Sequence, residues 1–231
     1  MLTEQDIHNM YNKYIVKTPT YLNRGLNEIH QSGVIPLYNP IDRDACRVFT
    51  IMDFKEWIAK YNITSHNALF TYADDYEIPF LPHTKSTIIE YDGTPTYDLH
   101  LLDLPNKNYD FILFSQTLEH LYNPYKCVEN LYNHLQPGGY IFTSVPTLNI
   151  PHLTPIHFSH FLPIGLTCMF KECGFDICEV GFWGNFSYAN YILQNQRWID
   201  IYKLPTLQND PRNTCQTWIL AQKPNECHTP T

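Results

Sequence analysis

The segment from Asn108 to Pro146 restricts the fold more than any other part of the chain. Tyr109 to Phe114 and Tyr140 to Val145 are short, nearly unbroken apolar runs, the pattern of strands buried on both faces. Between them Val128, Leu131, Tyr132 and Leu135 recur on one face of a helix. Gln136-Pro137-Gly138-Gly139 stops that helix, with glycine available for the left-handed backbone at its end. Strands alternating with helices in this way build a mainly parallel sheet with right-handed crossovers.

The flanking sequence extends the alternation. Ala68 to Tyr72, Ser86 to Glu90 and Leu99 to Leu102 read as three earlier strands, the last of them weak. Phe175 to Val180 alternates with period two, and Thr217 to Ala221 is a last strand, so seven strands are expected in all. Phe54, Trp57, Ile58 and Tyr61 share a helical face over Asp53–Tyr61, and Pro163–Cys173 reads as a helix that opens on proline and is ended by Gly174. Residues 181–216 show little periodicity, and Gly181-Phe182-Trp183-Gly184-Asn185 reads either as a tight loop near a site or as a plug for the core. Three units are expected: an N-terminal helical and irregular cap over 1–48, an α/β domain over 49–223 and a flexible tail over 224–231.

Charge and cysteine usage narrow the function classes. Lys and Arg number 15 against 23 Asp and Glu, a net charge of −8, so the field of the molecule repels a phosphate backbone and no nucleic-acid partner is expected. No run approaches the roughly 20 apolar residues that cross a bilayer, and the N-terminus lacks the apolar core of a signal peptide, so no membrane partner is expected. Seven cysteines without a CxxC pair read as reduced packing thiols, which points to a cytoplasmic location.

The run NYDFILFSQTLEHLYNPYKCVENLYNHLQPGGYIFTSVP carries a family pattern: an apolar strand introduced by an aromatic residue and Asp, then Leu-Glu-His, a helix, Leu-x-Pro-Gly-Gly and a second apolar strand. It resembles the S-adenosylmethionine-dependent methyltransferases of the Rossmann-like class that act on small molecules, closely over about 40 residues and in outline over roughly 155. The resemblance implies a Rossmann-like, doubly wound, seven-stranded, mainly parallel sheet with an N-terminal helical extension. It also implies S-adenosylmethionine as cofactor and a small-molecule methyl acceptor, such as a sugar or a metabolite. Terminal segments of this kind also serve as dimer contacts, so a homodimer is a further expectation.

Site residues follow from the matched positions. Ser115 and Gln116 lie beyond the carboxyl end of a strand, where open α/β sheets bind ligands, and are candidates to hold the methionine end of the cofactor or to cap the next helix. Glu90 falls where the family sets a carboxylate against the ribose hydroxyls, and Asp103 where it often meets the adenine amino group. Glu119-His120 has the chemistry of an acid/base pair, although in the family the pair commonly ties helix to sheet. His157, in the segment that precedes Leu162-Pro163-Ile164-Gly165-Leu166, is the preferred general base. No metal is expected, because His152, His157 and His160 have no carboxylate or cysteine at ligand spacing.

The sequence departs from the family after the first strand, where a Gly-x-Gly loop is usual. Here the loop reads Thr71-Tyr72-Ala73-Asp74-Asp75, without glycine. Either Tyr72 and its neighbours fill the place of the methionine half, or Ala73 allows close approach while Asp74 or Asp75 pairs with the ammonium group. The first alternative implies a non-catalytic module that uses the fold for binding or assembly. A nicotinamide-dependent dehydrogenase would need the missing glycine fingerprint.

Overall fold

The computed structural model describes residues 1–16, 24–34, 43–73, 75–90, 97–152 and 156–225, so Asp74 lies outside the described residues. Six strands form one mixed sheet: β1 (Ala68–Phe70), β2 (Ser86–Ile88), β3 (Tyr109–Ser115), β4 (Leu135–Pro146), β5 (Asp176–Trp183) and β6 (Gln216–Gln222). Their order is β2-β1-β3-β4-β6-β5. The first four are parallel, and β6 runs antiparallel to both β4 and β5. After β1 the chain moves outward to β2 and then returns to the other side of β1 for β3. That reversal opens a crevice at the carboxyl ends of β1 and β3.

Helices cover both faces: α1 (Glu4–Met10), α2 (Leu26–Ser32), α3 (Ala45–Lys60), α4 (Pro124–His134), α5 (Pro163–Glu172) and α6 (Phe186–Asn195). On one face α2, α3 and α6 bury Ile29, Phe49, Phe54, Trp57 and Ile192 with Trp183 and Trp218 of the sheet. On the other, α4 and α5 bury Val128, Leu131 and Phe170 against Ile112, Phe114 and Ile141. The helix expected at Asp53–Tyr61 begins earlier, at Ala45, because Asp44 caps it by accepting a hydrogen bond from the Arg47 N–H. Its first turns therefore lie ahead of the expected boundary at residue 48.

The seventh strand is absent among the described residues. Leu99 to Leu102 is a turn, and the Asn130 side-chain amide of α4 donates to the Leu99 and His100 carbonyls at 2.8 and 3.0 Å. Leu99 and Leu102 are buried, so the apolar pattern reported burial and not strand geometry. The Pro-Gly-Gly turn is accommodated inside β4. Register jumps from Tyr109 opposite Leu135 to Phe111 opposite Tyr140, so 136–139 leave the ladder, with Gly138 at φ +76°.

Asp110, the acid of the aromatic-Asp motif, ties the start of β3 to the start of β1. Its carboxylate accepts from the Ser65 hydroxyl and from the His66 and Asn67 N–H groups. Gly181, Phe182 and Trp183 belong to β5, and Trp183 stacks on Phe49 with ring centroids 4.9 Å apart. Of the two readings of that segment, the core plug is the one found. Residues 186–195 form α6, which sequence periodicity missed; Asn185 caps it by accepting from the Tyr188 N–H. No described helix is long and apolar enough to cross a membrane.

Candidate functional site

The crevice is built where β3 and β4 end side by side. Ser115 and Ser144 are partners in register, and their hydroxyls stand 2.6 Å apart. Ser115 also donates to Glu77 Oε1 at 3.0 Å and accepts from Arg47 Nη1 at 3.2 Å. Gln116 takes a left-handed φ of +47°, and its side-chain amide donates to the Ser144 hydroxyl at 2.9 Å. Neither residue caps α4; Asn123 does, by accepting from the Lys126 N–H.

Arg47 reaches over this floor from α3, with Nη2 3.5 Å from Glu77 Oε2 and its guanidinium 5.5 Å from the Tyr76 ring centre. Burial works to lower the guanidinium pKa, but the charges of Glu77, Asp75 and Asp44 outweigh it and hold Arg47 protonated. A buried cation thus faces carboxylates at the mouth of the crevice. It is the charge set needed to receive an amino-acid zwitterion, whose ammonium and carboxylate ask for opposite partners.

The described residues of the glycine-free loop stand beside this mouth. Tyr72 is 48% exposed, and among the described residues of the loop none has positive φ, so glycine is not required by its backbone. Thr71 is held by Leu113, whose carbonyl accepts from both its N–H and its hydroxyl. The Ala73 N–H donates to Glu90 Oε1 at 3.0 Å, which brings an exposed carboxylate at the end of β2 over the loop. The residues therefore fit the methionine and ribose parts of the family's cofactor.

Asp103 is elsewhere. It pairs with Lys107 at 2.7 Å, and the neighbouring Leu104 N–H donates to His134 Nε2 at the C-terminal end of α4. Because α4 runs back from the crevice, that end lies toward the start of β3. Asp98 and His100 occupy the crevice end instead. His100 Nδ1 is 2.7 Å from Asp98 Oδ1, its Nε2 accepts from the Asn123 N–H, and its ring stacks on Tyr122 at 4.0 Å.

Beside Gln116 a cavity of about 190 Å³ is lined by Arg47, Tyr76, Glu119, His152, Tyr188 and Trp198, among others. Leu118–His120 is a single 3₁₀ turn that carries Glu119 and His120 to its edge. The Glu119 carbonyl accepts from the Phe158 and Ser159 N–H groups, which folds the 156–160 segment back onto this turn. As a result His120, His152 and His157 meet, with ring centroids 4.8 to 5.6 Å apart, and His160 packs on His157 at 4.5 Å. Burial and the three neighbouring imidazoles push His157 down to about 4, so it is neutral at pH 7 with a free lone pair. Burial also pushes Glu119 up, to about 7, against the pull of its own backbone and of Arg47.

Arg47, Tyr188 and Trp198 line the cavity and Glu77 pairs with Arg47, and none of the four was a candidate from the sequence. The one local signal was the Asp44 cap, which fixes where α3 begins and so where Arg47 points.

A sequence profile described as a methyltransferase domain matches residues 30–201. Comparison with curated proteins returns no match. Among solved structures, a candidate sarcosine dimethylglycine methyltransferase from Galdieria sulphuraria is similar, with a TM-score of 0.53 at 10% identity, covering 87% of this chain and 98% of that one. The 1,6-didemethyltoxoflavin-N1-methyltransferase of Burkholderia thailandensis, solved with S-adenosylhomocysteine, gives 0.49 at 11%, covering 76% and 78%. Identities this low show likeness of fold alone.

Proposed function

Because the chain belongs to the methyltransferase-domain family and its cofactor is S-adenosylmethionine, we propose that it methylates an oxygen or nitrogen of a small molecule, such as a sugar or another metabolite, held in the cavity beside Gln116. The observation that carries this reading is the place of the cavity. It adjoins the ends of β3 and β4, next to the Ser115–Ser144–Arg47 floor, and Tyr76, Tyr188 and Trp198 wall it. Its size suits a small acceptor, and the net charge of −8 argues against a polyanionic one.

Bound S-adenosylmethionine supplies an electrophilic methyl group on a sulfonium. The protein positions the reactants and accounts for one proton. Arg47 would hold the carboxylate of the methionine end and Asp75 and Glu77 its ammonium, with Ser115 and Gln116 fixing the backbone around it. Ala73 and Tyr72 form the edge of the loop, and Glu90 would offer its oxygens to the ribose hydroxyls. The acceptor's proton would pass to His157 behind the cavity wall, which is neutral, has no hydrogen-bond partner at either ring nitrogen and packs beside His152. Asp98 and His100 would meet the adenine, while Asp103 is paired with Lys107.

Calorimetry with S-adenosylmethionine and S-adenosylhomocysteine tests the cofactor half. Both are expected to bind, and Glu90→Ala is expected to weaken both by about tenfold, the loss of roughly one charged hydrogen bond. If neither ligand bound at millimolar concentration, the chain would be a binding module built on a methyltransferase fold. For the acceptor half, tritiated methyl groups incubated with size-fractionated extract are expected in the low-mass fraction. Label confined to protein or nucleic acid would overturn the small-molecule reading.

A further inference from the structure

The two imidazoles at the edge of the cavity meet in a way that neutral side chains do not sustain. His120 Nδ1 lies 2.9 Å from the Ile156 carbonyl oxygen, and His152 Nδ1 lies 3.1 Å from the Ile150 carbonyl oxygen. A carbonyl can only accept, so both Nδ1 atoms carry the proton and both Nε2 atoms of the neutral rings are lone pairs. Those two Nε2 atoms face each other at 3.1 Å. Two lone pairs at that distance repel unless a cation lies between or beside them.

A third donor points the same way. Glu119 Oε1 is 3.8 Å from His120 Nε2, and Glu119 Oε2 is buried with no hydrogen-bond partner. Ligand atoms of Glu119, His120 and His152 all lie within 4.8 Å of one another. Bonds of about 2.0–2.1 Å to a tetrahedral ion set its ligand atoms roughly 3.3 Å apart, so small side-chain movements close the set. The two Nδ1–H···O=C bonds are the outer contacts that orient metal-bound histidines and leave Nε2 free to ligate. Both ring nitrogens of His157 are also buried and unpaired, 4.9 Å from His152 between ring centroids.

We propose that Glu119, His120 and His152 form a binding site for a divalent transition-metal ion. Two imidazoles and one carboxylate suit Zn²⁺, Fe²⁺, Mn²⁺ or Co²⁺, whereas Mg²⁺ and Ca²⁺ prefer oxygen donors. A shared proton is the competing cation. A proton shared by the two Nε2 atoms would still leave Glu119 Oε2 without a partner. Glu119 and His152 both line the cavity, so open positions on the ion would face an acceptor bearing oxygen or nitrogen donors. That last clause rests on the methyl-acceptor reading; the metal site does not.

The test needs neither cofactor nor acceptor, so its outcome is independent of theirs. Full-length protein stripped with chelator is titrated with Zn²⁺, Co²⁺ and Mg²⁺. One equivalent of Zn²⁺ or Co²⁺ is expected to bind, Mg²⁺ is not, and Co²⁺ is expected to give the visible absorption of a low-coordinate site. His152→Ala and Glu119→Ala are each expected to lower affinity by more than the roughly 10–100-fold that loss of an outer-shell partner costs. His66→Ala, an exposed histidine outside the cluster, leaves it unchanged. Should a variant fail to fold, electron spin-echo spectra of the Cu²⁺-loaded wild type decide, with nitrogen couplings from bound imidazole expected. Absence of those couplings, no Zn²⁺ or Co²⁺ binding up to millimolar ion, or affinity unchanged in folded His152→Ala would overturn the proposal.

Discussion

Asp53 and Glu119 are both buried carboxylates, and their surroundings differ. Asp53, on α3, has both oxygens taken: Arg24 Nη2 donates to Oδ1 at 3.0 Å and Trp218 Nε1 donates to Oδ2 at 3.0 Å. Glu119, at the cavity, has one oxygen 3.8 Å from a histidine and the other without a hydrogen-bond partner. Desolvation pushes both up to about 7, opposed at Asp53 chiefly by Arg24. The shift alone therefore does not separate scaffold from site. Satisfaction does: a buried charge whose partners are complete holds the fold, and one whose partners are missing awaits a ligand.

The sharpest way to break this contrast is at Arg24. Arg24→Ala leaves the Asp53 carboxylate buried beside a single donor, and a loss of about 3 kcal/mol in urea unfolding is expected at pH 8. Asp53 has a folded pKa above its unfolded value. The stability it contributes is thus fully present below about pH 4 and is lost as pH rises through about 7. Without Arg24 that loss should extend to higher pH, and the deficit of the variant should shrink in acid.

A smaller effect is expected at Trp218. Trp218→Phe keeps an aromatic ring in the core but removes the indole donor to Asp53 and the space its second ring fills, for a cost of about 2 kcal/mol in the same measurement. A loss below about 0.5 kcal/mol would mean that Arg24 alone satisfies the carboxylate.

Glu119→Gln should have the least effect on stability, within about 1 kcal/mol at pH 5 in chelator, because at that pH the buried carboxyl is protonated and a neutral amide of equal size replaces it. The pH dependence carries the information. Glu119 also has a raised folded pKa, so its contribution disappears as pH rises toward and through about 7. The variant lacks that decline and should gain on the wild type between pH 5 and pH 8. Parallel pH profiles would show that Glu119 is not held protonated by its surroundings and would remove the contrast with Asp53.

Much of the fold was legible because it rests on local rules. The βαβ unit from Tyr109 to Pro146, the proline-opened α5 and the Gly174 stop, at φ +96°, follow from periodicity and turn chemistry between chain neighbours. Leu99 to Leu102 misled because a buried turn and a buried strand share an apolar composition; the Asn130 side chain decides between them. The helix α6 was hidden because Phe186, Asn190 and Leu193 leave no clean polar face, and its start depends on the Asn185 cap.

The candidate site was legible only in part. Ser115, Gln116 and Glu90 stand at or just past strand ends, a place that the strand pattern sets, whereas the segment before Asp103 is a turn and Asp103 pairs with Lys107. Within 152–160 no carboxylate has ligand spacing, and the expectation of no metal followed from that; the carboxylate beside His152 comes from the turn after β3.

By itself the sequence determined an alternating α/β chain, the family to which it belongs and hence its cofactor, because those depend on patterns between residues close along the chain. Only the tertiary structure decided that Arg47 of α3 meets Ser115 of β3, and that His152 turns its lone pair toward His120 beside Glu119. Such meetings depend on how distant segments pack, and on which polar atoms that packing leaves without water and without partners.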